Sequence, residues 1–203
     1  FDLLNVNYVY VPWKSENFKE YLNKLSDRNS ILTKSYEDQL IVSFGYSYIY
    51  NSANNQQESG KRNTYSIRVN VEESGNLLYA ASKAIHNEPK EDKGYVIANI
   101  PFAQYIKGDF DFAQNWNIDN RNSLVFHIGM GIAYPYGNSK VLPFEKRYFS
   151  GGPNSVRGWS VRSLGPGTYK NIDGEMNYIN HTGDIKLDLN IEYRTHLFWK
   201  FNG

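Results

Sequence analysis

Cysteine is absent from the 203 residues, so no disulfide frames the fold and no thiolate can act as nucleophile or metal ligand. Charge imbalance is absent too. A formal net charge of +1 gives no general electrostatic footprint for nucleic acid. Histidines are few and scattered, at His86, His127, His181 and His196, without metal-ligand spacing. No apolar run approaches the roughly 18 residues of a membrane-crossing helix. The opening FDLLNVNYVY lacks the basic, apolar and small-residue segments of a signal peptide. What is abundant is aromatic: 17 Tyr, 11 Phe and 4 Trp, in a chain whose mean hydropathy is nonetheless polar at -0.61. Two all-β readings fit this composition. One is a soluble protein with Tyr-rich surfaces. The other is a transmembrane barrel, whose lipid face needs apolar residues only at alternate positions and whose girdles use Tyr and Trp.

Alternation separates the two. In 184–198, Ile185, Leu187, Leu189, Ile191, Tyr193, Thr195 and Leu197 share one face, and Asp184, Lys186, Asp188, Asn190, Glu192, Arg194 and His196 share the other. In 124–136, Leu124, Phe126, Ile128, Met130, Ile132 and Tyr134 oppose a small-residue face containing Gly129, Gly131 and Ala133. Small residues there suit a crowded interior or a bend. The same period runs through 40–50, 64–73, 105–118 and the opening residues. Strands in soluble sheets are mostly about five or six residues long. These are longer, with charges a dry core would reject and apolar rows water would reject. They predict antiparallel strands at 1–11, 36–50, 64–79, 104–118, 123–136 and 184–198.

The connections alternate in length. DNRN, 119–122, is a turn, and 51–63 is polar and moderately short. Residues 12–35, 80–103 and 137–183 form long connections; the first has helical spacing at Phe18, Leu22 and Leu25, with Ser15 as a cap. Short turns on one side and long loops on the other suit a membrane barrel, the long ones outside. Phe198 and Trp199 then fall near the periplasmic interface. Six strands cannot close a barrel, because an open edge facing lipid leaves backbone groups unpaired. The expectation is therefore an all-β chain, 1–203, forming about six strands of a larger transmembrane antiparallel β-barrel and lacking parts on both sides.

The third long connection carries FSGGPNSVRGW, 149–159. Two adjacent glycines, a proline and an Arg-Gly-Trp run exceed what a plain surface loop needs. This stretch resembles the signature of the BamA/TamA-type outer-membrane assembly barrels, a superfamily that includes two-partner secretion transporters. SLGPGTY, 163–169, and GDIKLDLNIEYR, 183–194, resemble the same family. YSYIYN and GNLL, at 46–51 and 75–78, look like versions found in Bacteroidetes TamA-like (TamL-like) members, often lipoproteins.

The resemblance implies a barrel of about sixteen strands, preceded by periplasmic POTRA domains, with 137–183 folding into the lumen. Within the motif, Gly151 and Gly152 would let the backbone turn tightly or pass the barrel wall. Ser155, Val156, Arg157, Gly158 and Trp159 would form its core. Arg157 would pair with a carboxylate in two-pronged geometry. Glu192, matching an acidic lumen residue of the family, is the first candidate, and Asp188 on the same face is the second. Gly158 would allow close approach, and Trp159 would wedge between loop and wall. A second acidic partner would lie on a following strand. The implied function is non-catalytic assembly and insertion of outer-membrane proteins in the bacterial outer membrane, without cofactor or metal. Its partners would be nascent outer-membrane proteins, outer-membrane lipid and lipopolysaccharide, and other assembly subunits or a TamB-like inner-membrane partner. The alternatives are polypeptide secretion and, further off, a porin or receptor barrel. Asp109 and Asp111 share a face, but no opposing acid, base or histidine cluster makes them a hydrolytic or metal pair. Ser155 has no visible base.

Overall fold

The computed structural model describes residues 2–9, 16, 38–55, 63–85, 88–90, 93–153, 155–165, 181–198 and 201–202. The helix expected from Ser15, most of 12–35, Trp199 and part of the third long connection lie outside them.

In chain order the described elements are β1 (Asp2–Val9), β2 (Gln39–Asn51), β3 (Asn63–Ser74), α1 (Asn76–Ala84), β4 (Val96–Ile97), β5 (Ile100–Pro101), β6 (Tyr105–Asn117), β7 (Asn122–Pro135), β8 (Tyr148–Phe149), β9 (Thr182–Gly183), β10 (Ile185–Phe198) and β11 (Phe201–Asn202). One sheet runs β1-β2-β3-β6-β7-β10-β11, every pair antiparallel. Its strands β2, β3, β6, β7 and β10 are 12 to 14 residues long. A tilted membrane-spanning strand needs roughly nine to eleven.

Register turns the period of two into two continuous faces. One row reads Tyr48, Val69, Phe110, Met130, Leu187; the next reads Tyr50, Ile67, Phe112, Ile128, Leu189. On the opposite face one row reads Ser47, Asn70, Asp109, Gly131, Lys186. The apolar face is bare: Leu189 is 61% exposed, Ile191 72% and Trp116 57%. A one-residue slip would exchange the faces along a whole strand. The turn between β6 and β7 is fixed by Asp119, whose Oδ1 accepts the backbone N–H groups of Arg121 at 2.7 Å and Asn122 at 2.8 Å.

One strand ends early. Residues 75–79 were expected to extend β3, but the chain leaves the sheet after Ser74 and enters α1. Gly75 makes the departure with φ +83, and a Cβ there would lie 2.3 Å from the Ala103 carbonyl oxygen. The Ser74 hydroxyl donates to the carbonyls of Val42 and Ala103, at 3.1 and 3.2 Å. The segment returning to β6 takes up the vacated pairing: Ala103 N–H donates to Leu40 at 2.9 Å, and Phe102 bridges Leu40. Period two could not reveal this, because Leu77, Leu78 and the alanines that follow are also good helix formers.

The best-buried cluster lies at this end of the polar face. It joins Ile41, Ala103, Tyr105 and Ala133 to Leu142 and Tyr148 from the third long connection. That connection therefore packs on the polar face.

Candidate functional site

The loop from 137 to 165 descends along the polar face and is held at successive levels. Lys146 pairs with Glu72 at 2.6 Å, and the Tyr105 hydroxyl donates to the same carboxylate oxygen at 2.6 Å. The buried Arg147 guanidinium meets Asp184 at 3.2 Å. Tyr148 donates its hydroxyl to Asp109 at 2.6 Å, and Lys107 stands 4.4 Å over its ring. Burial, and then the Asp109 carboxylate, push the Tyr148 hydroxyl above the usual tyrosine range, so it remains a donor. Gly131 makes room for the ring: a Cβ there would sit 2.5 Å from its carbons. The short pair β8–β9 then fixes Tyr148 opposite Gly183 and Phe149 opposite Thr182.

Beyond this anchor the motif folds back on itself. Gly151 and Gly152 have φ +95 and +96, and the Gly152 N–H donates to the Trp159 carbonyl at 2.9 Å. A Cβ on Gly151 would meet the Ser160 carbonyl oxygen at 2.3 Å. The glycines thus serve a tight turn against the loop's own returning limb. Arg162, itself at φ +58, closes this fold by stacking its guanidinium 4.4 Å from the Phe144 ring and 4.7 Å from Phe149.

The tip reaches the acidic row formed by β10 and the residue just before it. Asp184, Asp188 and Glu192 are spaced by four residues, about 13 Å apart along an extended strand. Arg147 meets the first. The Ser155 hydroxyl donates to the second at 3.4 Å. Arg157 and Glu192 line one cavity of about 670 Å³ near the β6–β7 turn, with Asp119, Arg121, Arg194 and His196.

The described residues give the positions of the motif's core. Arg157 makes no direct ion pair with Glu192 or Asp188 among the described residues. Arg194, two positions along the same face, already takes both Glu192 oxygens at 2.9 and 3.2 Å, and Lys186 pairs with Asp188 at 2.8 Å. Trp159 is 54% exposed among the described residues, and its backbone carbonyl receives the Gly152 N–H. Nothing described lies within 4 Å of where a Gly158 Cβ would project. Val156 is likewise exposed. Lys146, Arg147, Tyr148 and Arg162 were not singled out from sequence. The available signal was the small face of β7, where Gly131 admits the Tyr148 ring.

Asp109 holds Tyr148, and Asp111 lies 3.4 Å from His127. Among the described residues no group of three His, Asp or Glu side chains is placed to hold a metal ion. The arrangement is a tether: cations, hydroxyls and rings of one loop distributed over carboxylates of a sheet.

The Omp85 superfamily domain model matches residues 2–203. The chain belongs to the Omp85 superfamily. It is also 33% identical over 67 residues to the outer membrane protein assembly factor BamA of Neisseria meningitidis serogroup B. That match covers 32% of this chain and 8% of the relative, so the chain corresponds to much less than the relative's full length. This chain resides in the bacterial outer membrane. Its apolar face is bare, and the loop packs on the opposite, polar face.

Proposed function

We propose that this chain is the lumen wall and lumen loop of a barrel that assembles and inserts outer-membrane proteins. The observation that carries the reading is the loop 144–165, held on the polar face at Glu72, Asp109, Asp184 and Asp188. In this reading the bare apolar face meets lipid and the polar face the lumen, and a diffusion porin does not need the SVRGW motif that the loop carries. The work is non-catalytic. Tethered loop and wall give a stiff scaffold, and substrate strands would be templated by β-augmentation at a seam elsewhere in the barrel.

The complete barrel in this proposal has about sixteen strands, with POTRA domains on the periplasmic side and 12–35, 80–103 and 137–183 on the outer side. It is a TamA-like protein of the kind found in Bacteroidetes, acting on nascent outer-membrane proteins with a TamB-like inner-membrane partner or other assembly subunits. The similarity to an assembly factor favours this over polypeptide secretion.

The test is complementation in a strain depleted of the full-length protein. A full-length version lacking 150–164 should reach the outer membrane yet leave other outer-membrane proteins unassembled. Normal levels of those proteins, with one secreted polypeptide retained inside the cell, would instead establish secretion.

A further inference from the structure

Helix α1 stands at the outer rim of the sheet and has an uncharged face that nothing described covers. Leu77 is 59% exposed and Ile85, just past its end, 75%; Ala80, Ala81 and Ala84 between them are exposed too. At 100° per residue these five fall on one side. Ser82, on the opposite side, is 2% exposed, and Tyr79 packs edge-on against Tyr95 at 5.3 Å. The helix thus turns its polar and aromatic side to the protein and its aliphatic side away.

Its first turn is fixed on the lipid side of the sheet. Asn76 N–H donates to Glu73, and the Asn76 side-chain oxygen accepts from Gln104 at 2.8 Å and from the Tyr136 hydroxyl at 3.0 Å. Strand parity puts Glu73, two residues after Val71, on the apolar face, and the Tyr136 N–H to Gln104 carbonyl bond at 3.1 Å carries the β6–β7 ladder one residue further, so that Gln104 and Tyr136 follow the parity of Ile106 and Tyr134. Glu73, Ile106 and Tyr134 form one cross-strand row, in which Ile106 and Tyr134 are 46% and 64% exposed. The bare side of the helix therefore continues the lipid-facing band rather than facing the lumen. Lys83 flanks it, 4.7 Å over the Tyr79 ring, at the level where a headgroup would lie.

We infer that α1 is an interfacial helix, lying in the outer leaflet with Leu77, Ala81 and Ile85 in the acyl boundary. An amphipathic helix of this kind buries its apolar face a few ångströms below the headgroups. It would widen the barrel's footprint in the outer leaflet over β3 and β6. The inference rests on the membrane placement of the sheet, and the controls separate the two.

The full-length protein is labelled with an environment-sensitive fluorophore at Ile85→Cys, in a background without other reactive cysteines, and reconstituted with brominated phospholipid. Leu187→Cys reports the strand band and Lys140→Cys the aqueous outer loops. Quenching at 85 should reach at least about half that at 187 and exceed that at 140. Quenching at 85 by aqueous iodide but not by brominated lipid would overturn the inference, as would protection from both, which would mean a protein partner covers the face. Absence of lipid quenching at 187 as well would overturn the membrane placement together with it.

Discussion

Arg147 makes a buried charge contact of the loop, with Asp184, an acid the motif pattern did not assign to Arg157. It is buried against a half-exposed Asp184, while Arg157 opens into the polar cavity and Glu192 is occupied by its strand neighbour Arg194. Arg147→Ala should therefore loosen the loop more than Arg157→Ala, by about 1 kcal/mol after allowance for the exposed carboxylate. Limited proteolysis of the loop in the full-length protein reads the order, and faster cleavage of the Arg157 variant would reverse the assignment. Tyr148→Phe keeps the ring that fills the space at Gly131 but strips Asp109 of its donor. A hydrogen bond to a charged group contributes about 1.5–3 kcal/mol. A denaturant midpoint for loop release should fall accordingly, and an unchanged midpoint would show that solvent substitutes for the phenol. At this scale the sequence was only partly legible. A glycine pair and an Arg-Gly-Trp run announce a special loop. Which arginine meets which acid depends on neighbours that no spacing rule supplies.

Among the elements, β2, β6, β7 and β10 were legible nearly to the residue, because sheet register exposes every alternate side chain to one solvent and the composition follows. α1 was not. Its run of Leu, Ala and Tyr satisfies strand and helix alike, and the deciding facts are the positive φ of Gly75 and the closeness of Ala103, both tertiary. The β7 glycines were read as suiting a crowded interior or a bend, without deciding between them. Gly131→Val tests that room: the Tyr148 ring must leave, and the β8–β9 pair should separate while the main sheet persists. Circular dichroism of the folded protein should be unchanged, with the loop newly open to protease. Intact loop protection would mean that the ring is accommodated elsewhere.

As a whole molecule the chain sorts its polar and apolar groups onto the two faces of one sheet, and the described part of the third long connection packs on the polar one. Glu72, Asp109, Asp184 and Asp188 receive Lys146, Tyr148, Arg147 and Ser155 in turn, so the tether is distributed over the wall instead of resting on one latch. A distributed tether keeps its other contacts after any single removal, and this is why the point substitutions above are expected to loosen the loop without unfolding the sheet. The most direct test is proximity at the tip. Cysteines replacing Ser155 and Asp188 in the full-length protein, treated in whole cells with a short bismaleimide, should crosslink efficiently and give an intramolecular product of shifted mobility. A pair that fails to crosslink, with the cysteine at 155 freely labelled from outside by a membrane-impermeant maleimide, would contradict a loop held inside the wall.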